Sequence, residues 1–316
     1  MLRKKCTREQ LKELAATTTR CLVAMESCSG SQFWGRHFAS HGHEVRLIPA
    51  QFVKPYVKAN KNDFNDALAI AEAAGRATIP SVPLKNTEQL EPQAINRVRQ
   101  RLIADRSAVI NQMRALLLEQ GLVVGVGPTR LARQLPELLG KAAEALTSRM
   151  QMLLGRLRSR WLELDADIAE LTSLLTRHAM QSELCRNVVT VPGIGPMIAT
   201  ATIAAVGNGR MFKTGRGMAA WLGLVPRQLS TGGRSILGPI SKRGNVQLRR
   251  LFVQGAQVLY SHLRRNQSRL GAWLRGIEGR THRNVAVVAL ANKLMRICWK
   301  VLSSGRPYQP YPVRAI

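Results

Sequence analysis

The sequence predicts an α/β N-terminal domain over residues 1–90, a long helical, coiled-coil middle over 91–182, and a mainly α, basic C-terminal domain over 183–316. Three observations carry this. Two short apolar runs, CLVAME and EVRLIP, bracket a segment of helical spacing, the order of a strand–helix–strand unit. Apolar residues then recur at intervals of three and four from Leu146 to Leu175. The charge is also lopsided. Residues 184–316 hold 21 Lys/Arg and one acid, Glu278, a surplus of +20, whereas the 183 residues before them carry +8.

In chain order, TREQLKELA reads as a short helix, because Thr7 and Gln10 have the spacing of a capping box. CLVAME is a continuous apolar run of strand length and places Glu26 at its tip. SGSQFWGRHFASHG puts Phe33, Trp34 and Phe38 at helical spacing and stops at Gly42. EVRLIP is the second strand, expected parallel to the first. QFVKPYVKANKN reads as a basic loop, and Lys54, Lys58 and Lys61 could hold a nucleic-acid strand there. DFNDALAIAEAAGRA is a helix with Asp63 in its first turn, where an acid suits the helix dipole.

The middle carries a stripe of Ile95, Val98, Leu102, Ile103, Ile110, Met113 and Leu117. A Gly/Pro-rich break follows, then Leu146, Met150, Leu153, Leu157, Trp161, Leu164, Ile168, Leu171 and Leu175. That heptad spacing suits either a helical hairpin within one chain or assembly between copies, and the length of the run favours a homo-oligomer through residues 143–178.

In the last region Pro192-Gly193-Ile194-Gly195-Pro196 precedes a small-residue helix. The turn resembles a helix–hairpin–helix module, whose glycines let backbone amides approach phosphate. Next, WLGLVPRQLSTGGRSILGPISKRGNVQLRRLF is rich in Ser, Gly and Arg and lacks acids. Read as a loop, it suits phosphate chemistry, with a serine hydroxyl to attack and cations to stabilise the crowded phosphorus. Arg227, Gly232, Gly233, Arg234, Lys242, Arg243, Arg249 and Arg250 are its candidate nucleic-acid contacts, with Gly193 and Gly195. VAVVALANKLMRICWKVL reads as a core helix.

A formal charge of +28 repels itself and points to a polyanion partner, DNA above all. An anionic membrane is disfavoured, since no apolar run reaches spanning length and no signal peptide is present. The five cysteines are scattered without CxxC spacing and read as free thiols of a reducing cytoplasm. His37, His41 and His43 read as surface histidines rather than metal ligands. The acids are more telling. Glu26 at a strand tip, with Asp63 and Asp66 on one helix face, is the layout by which RNase H-like nucleases hold Mg²⁺ through hard oxygens.

VAMESCSG, HEVRLIPAQFVKPYVKANKNDFNDALAIAEA, VPGIGP, AAWLGLVPRQLSTGG and ISKRGNVQLRR occur in this order over nearly the whole chain. In them the sequence resembles the insertion-sequence transposases that join a RuvC-like Asp-Glu-Asp-Asp domain to a serine domain, a group that includes the Piv-type invertases. The resemblance implies a transposase or DNA recombinase that cuts and joins strands. Glu26, Asp63 and Asp66 would be the second, third and fourth acids of its metal site. Ser230 of LSTGG would be the nucleophile, with Thr231 and Ser241 as alternatives. It also implies a composite site shared between protomers and, as in several members, a structured guide RNA. The family's first acid lies on a strand of the type GIDxxK, and this chain begins at MLRKKCTREQ, past that point. The RNase H-like domain is therefore expected to lack its first strand and one ligand, and the chain to be inactive or nearly so. A decayed transposase that only binds nucleic acid and a RuvC-like structure-specific nuclease are the competing readings.

Overall fold

The computed structural model describes residues 4–58, 62–141, 146–265 and 267–310. The chain divides into two compact units, Met1–Glu88 and Gln89–Ile316. Most of its residues are helical.

In the first unit, α1 (Arg8–Thr17) opens on the expected capping box. Gln10 N donates to Thr7 Oγ1 at 3.2 Å, and Thr7 N donates to the Gln10 side chain at 2.9 Å. β1 (Leu22–Glu26) and β2 (Glu44–Ile48) pair in parallel through α2 (Ser31–Ser40), with Leu22 opposite Glu44 and Glu26 opposite Ile48. Both faces of β2 are covered, as its continuous apolar run requires: Leu47 and Ile48 are fully buried. On one face α2 covers Val45 and Leu47, and Gly35 leaves room there for the Leu84 side chain. A methyl there would stand 2.4 Å from Leu84 Cδ2. On the other, Ile48 packs with Val53 and Ile79 and with Ala69 and Ala73 of α4 (Asp63–Ala74). Val82 adds a one-residue antiparallel bridge to Leu47, its N–H donating to Leu47 O at 2.7 Å. β1 has no strand on its far edge among the described residues.

The supposed basic loop begins as α3 (Ala50–Val53) and a 3₁₀ turn over Lys54–Tyr56, because Val53 is drawn into the core beneath it. His43 is not a surface histidine. It is 5% exposed, and its Nδ1 accepts from Cys21 N at 3.2 Å while its Nε2 stands 2.9 Å from Ala15 O. The ring is thus the Nε2–H tautomer and ties α1 to the start of β1.

In the second unit, α5 (Thr87–Glu119) and α7 (Ser148–Gln181) run antiparallel. Arg106 reaches Asp165 at 2.9 Å and Arg99 reaches Thr172 at 2.6 Å, so one index falls by seven as the other rises by seven. α6 (Pro128–Lys141) completes their core, in which Met113, Leu117, Leu131, Leu135, Leu154 and Trp161 are buried. The first half of the heptad stripe, Leu146, Met150, Leu157 and Trp161, thus packs within the chain, and Leu164, Ile168 and Leu175 are buried as well. One of its members is also misassigned: Leu154 is buried and Leu153 is 44% exposed.

The largest core joins α8 (Glu183–Val189), α9 (Pro196–Val206), α10 (Gly215–Trp221), α11 (Val246–Leu263), α12 (Arg269–Glu278) and α13 (Arg283–Ser304). α13 is its centre: Leu290, Ala291, Leu294, Met295 and Cys298 are wholly buried, as expected for a core helix. Burial pushes the Cys298 thiol up to about 12. The serine segment is not a loop. It forms an antiparallel hairpin, β3 (Pro226–Thr231) and β4 (Arg234–Ile240), between α10 and α11. Gly232 and Gly233, with φ of 52° and 77°, make its two-residue turn; the left-handed backbone at both positions suits the strand twist and favours glycine.

Candidate nucleic-acid interface and serine hairpin

The hairpin's setting follows from its base. Ser241 N donates to Val225 O at 2.8 Å and Lys242 N to Gly223 O at 3.1 Å, so the chain re-enters the core beside the point where it left. Lys242 is left-handed there (φ 54°), and Gly244 follows at φ 75°. A methyl on Gly244 would strike Trp221 O at 2.0 Å, so glycine is required for this approach. Arg249 locks the crossing. It is 9% exposed, and its guanidinium donates to Leu222 O at 3.0 Å and to Arg243 O at 2.8 Å. Its Nη1 is thus spent on two carbonyls of the fold, and with 9% exposure Arg249 has little surface to offer a nucleic acid.

Beyond that base every residue of β3 is exposed, and β4 is exposed up to Ile240. Alternation along the ribbon sorts the side chains. Ser230 lies opposite Ser235 and shares a face with Gln228 and Leu237, while Thr231 lies opposite Arg234 with Leu229 and Ile236 on the other face. Ser230 Oγ accepts a hydrogen bond from Gln228 Nε2 at 2.9 Å. The amide occupies a lone pair and leaves the hydroxyl proton free to be given elsewhere. Gln228 went unnoticed in the sequence, yet its i, i+2 spacing from Ser230 would have placed it once a strand was recognised. The three hydroxyls are now distinguishable. Ser230 and Thr231 are exposed on opposite faces, whereas Ser241 Oγ is sealed from solvent with no partner among the described residues.

Arg227 and Arg234 are exposed on the hairpin, and Lys242, Arg243 and Arg250 are exposed at its base. The glycine turn between α8 and α9 divides its two glycines. Gly193 (φ 81°) sits against α11, where a methyl would meet Gly255 O and Leu259 at 3.1 Å, so close packing accounts for it. Gly195 borders open space, at the N-terminus of α9.

In the first unit, Glu26 ends β1, while Asp63 and Asp66 occupy the first turn of α4, which rests against β1. Among the described residues no three His, Cys, Asp or Glu side chains stand close enough to share a metal ion. The expected three-acid Mg²⁺ centre is thus not assembled by these side chains. Asp63 is exposed at the helix start. Lys54 is exposed, Lys58 pairs with Glu72 at 3.4 Å, and Lys61 lies outside the described residues.

The chain is similar to known transposases over both units. Residues 185–270 match the family described as Transposase IS116/IS110/IS902, and residues 3–120 match a DEDD-type transposase domain of the IS110 group. The chain is 42% identical to a probable family 20 transposase of Pseudomonas aeruginosa, over 98% of this chain and 91% of that protein. It is 41% identical to the transposase for insertion sequence element IS1328 of Yersinia enterocolitica, over 96% and 90%. A pilin gene-inverting protein of Moraxella bovis is 23% identical over 87% of this chain and 79% of its own length. The DEDD domain suggests a divalent metal, and the carboxylates of the first unit, as they stand, do not converge on one.

Proposed function

This chain belongs to the IS116/IS110/IS902 family of insertion-sequence transposases, and on that premise we propose that it cuts and rejoins DNA strands with Ser230 as the nucleophile. The observation that carries the reading is the exposed hairpin, which presents Ser230 on one face, carries Arg227 and Arg234 elsewhere on the same ribbon and rises from a basic base, inside the segment that matches the family. Ser230 Oγ attacks a backbone phosphorus, a phosphoserine bond forms, and a deoxyribose oxygen leaves. A strand hydroxyl reverses the step and rejoins the backbone. Arg227, Arg234, Lys242, Arg243 and Arg250 neutralise the phosphates around the cut, and Gly195 admits a strand at the α9 turn.

The RNase H-like reading of the first unit rests on β1–α2–β2 and its acids. Mg²⁺ is the ion we assign to it, since carboxylate oxygens are hard donors. No step is derived through the ion, because Glu26, Asp63 and Asp66 do not converge. The reading also takes a guide RNA as a partner, a second protomer as contributor to the site, and a reducing cytoplasm as the setting of the free thiols.

Ser230→Ala tests the nucleophile. Compared with a parent that exchanges strands in cells supplied with the element's ends, it should abolish strand exchange while duplex binding stays within about two-fold, since only one exposed hydroxyl is removed. Ser241→Ala should exchange strands like the parent. Exchange retained by Ser230→Ala would move the nucleophile to another residue.

A further inference from the structure

Where α11 ends and α13 begins, a cavity of about 350 Å³ is lined by Tyr260, Ser261, Arg264, Arg265 and Arg283. It is separate in chain and fold from the serine hairpin. Its wall is unusual in composition. Three guanidiniums surround one opening, and the carboxylate behind them is Glu278, the lone acid of residues 184–316. Glu278 is already engaged. It accepts from the Tyr260 hydroxyl and pairs with Arg264 Nε at 3.2 Å. The bond to Glu278 holds the Tyr260 phenol above its ordinary range, so it stays a protonated donor to that acid. Arg264 and Arg283 lie over the buried Tyr260 ring, 5.9 and 5.3 Å from its centre, which fixes both cations beside the opening. Arg265 and Arg283 have no ion pair among the described residues. Arg283 is also the first residue of α13, whose N-terminus adds positive potential.

Like charges so gathered repel one another, and the one available carboxylate offsets a single arginine. A doubly hydrogen-bonding anion would relieve the remainder, and guanidinium forks match phosphate geometry. We propose that this cavity is a second nucleic-acid site, which seats a phosphodiester group of a DNA or RNA strand between Arg265 and Arg283, with Arg264 and Tyr260 as its ordered wall. The volume admits a phosphate and its attached sugar. The site rests on the reading that the chain handles nucleic acid, and it makes no claim about Ser230.

The test compares the full chain with Arg265→Ala/Arg283→Ala on two probes, a labelled 20-base-pair duplex DNA and a labelled 20-nucleotide single-stranded RNA, over a salt series. Arg210→Ala/Lys213→Ala, two exposed cations elsewhere in the same unit, controls for loss of charge alone. Arg265→Ala by itself, at an exposed position, covers the case in which the double variant melts early. Loss of about ten-fold in affinity on either probe, with a salt slope shallower by about one and a loss exceeding the control's, is the expected result. The probe that shows it identifies the strand: DNA alone, RNA alone, or a backbone site common to both. Unchanged slopes on both probes, or a loss equal to the control's, would overturn the proposal. A parent chain that binds neither probe would overturn the nucleic-acid reading beneath it as well.

Discussion

Ser230 and Arg249 lie nineteen residues apart in the same basic segment, and the structure gives them opposite situations. The serine is exposed on a ribbon; the arginine is enclosed and feeds two carbonyls, Leu222 O and Arg243 O. Sequence alone treats both as members of a phosphate-facing set, because composition reports how many cations a segment holds and not which way each points. Arg249→Leu separates the two kinds of residue. It would leave two carbonyls at the hairpin base without their donor, at about 1–3 kcal/mol for each such group when buried. The variant is expected to unfold at lower urea than the parent, by roughly 2–6 kcal/mol. Arg250→Ala, at an exposed neighbour, should leave the unfolding midpoint in place and weaken DNA binding. A full-stability Arg249→Leu chain that has lost DNA affinity would return Arg249 to the interface.

At the scale of elements, the first unit is legible where the chain uses local chemistry: the Thr7–Gln10 cap, the strand–helix–strand order and the parallel sense of the pair follow from short windows, whereas the register comes only with the structure. The serine hairpin was not recognised, although Gly232-Gly233 between LST and RSI is a recognisable two-residue turn signal. Its strands carry no steady apolar alternation, because neither face is buried against the core, so the pattern that ordinarily marks a strand is missing. The heptad stripe is legible as a stripe and does not by itself name its partner. Spacing fixes which side of α7 is apolar, whereas the partner is chosen by tertiary packing, here α5 and α6 of the same chain. Leu164 is fully buried. Leu164→Ala should therefore cost about 2–5 kcal/mol of stability, measured by denaturant unfolding. Dissociation of an assembly into stable, fully folded monomers by light scattering would instead place Leu164 between copies.

For the molecule as a whole, the +28 formal charge and its concentration after residue 183 set the long-range behaviour. None of its described helices is long and apolar enough to cross a membrane. Contact with six phosphates would give a log–log salt slope of roughly −5 on duplex DNA, and a filter-binding series from low to physiological salt reads it directly. A flat response would detach the charge from nucleic-acid binding. Family membership could be read from the ordered motifs, and the relatives over both units establish it. The arrangement of the acids could not be read that way, because a strand tip and a helix start can be neighbours without their carboxylates meeting. The proposed chemistry is covalent: Ser230 takes a DNA strand. Trapping the parent chain on labelled DNA bearing the element's ends, under denaturing conditions, and mapping the adduct by peptide mass spectrometry tests it most directly. A Ser230 nucleophile requires a nucleotide linked through phosphorus to Ser230 and no adduct from Ser230→Ala; an adduct that persists in Ser230→Ala, or that maps to Thr231, Ser241 or any other residue, would contradict it.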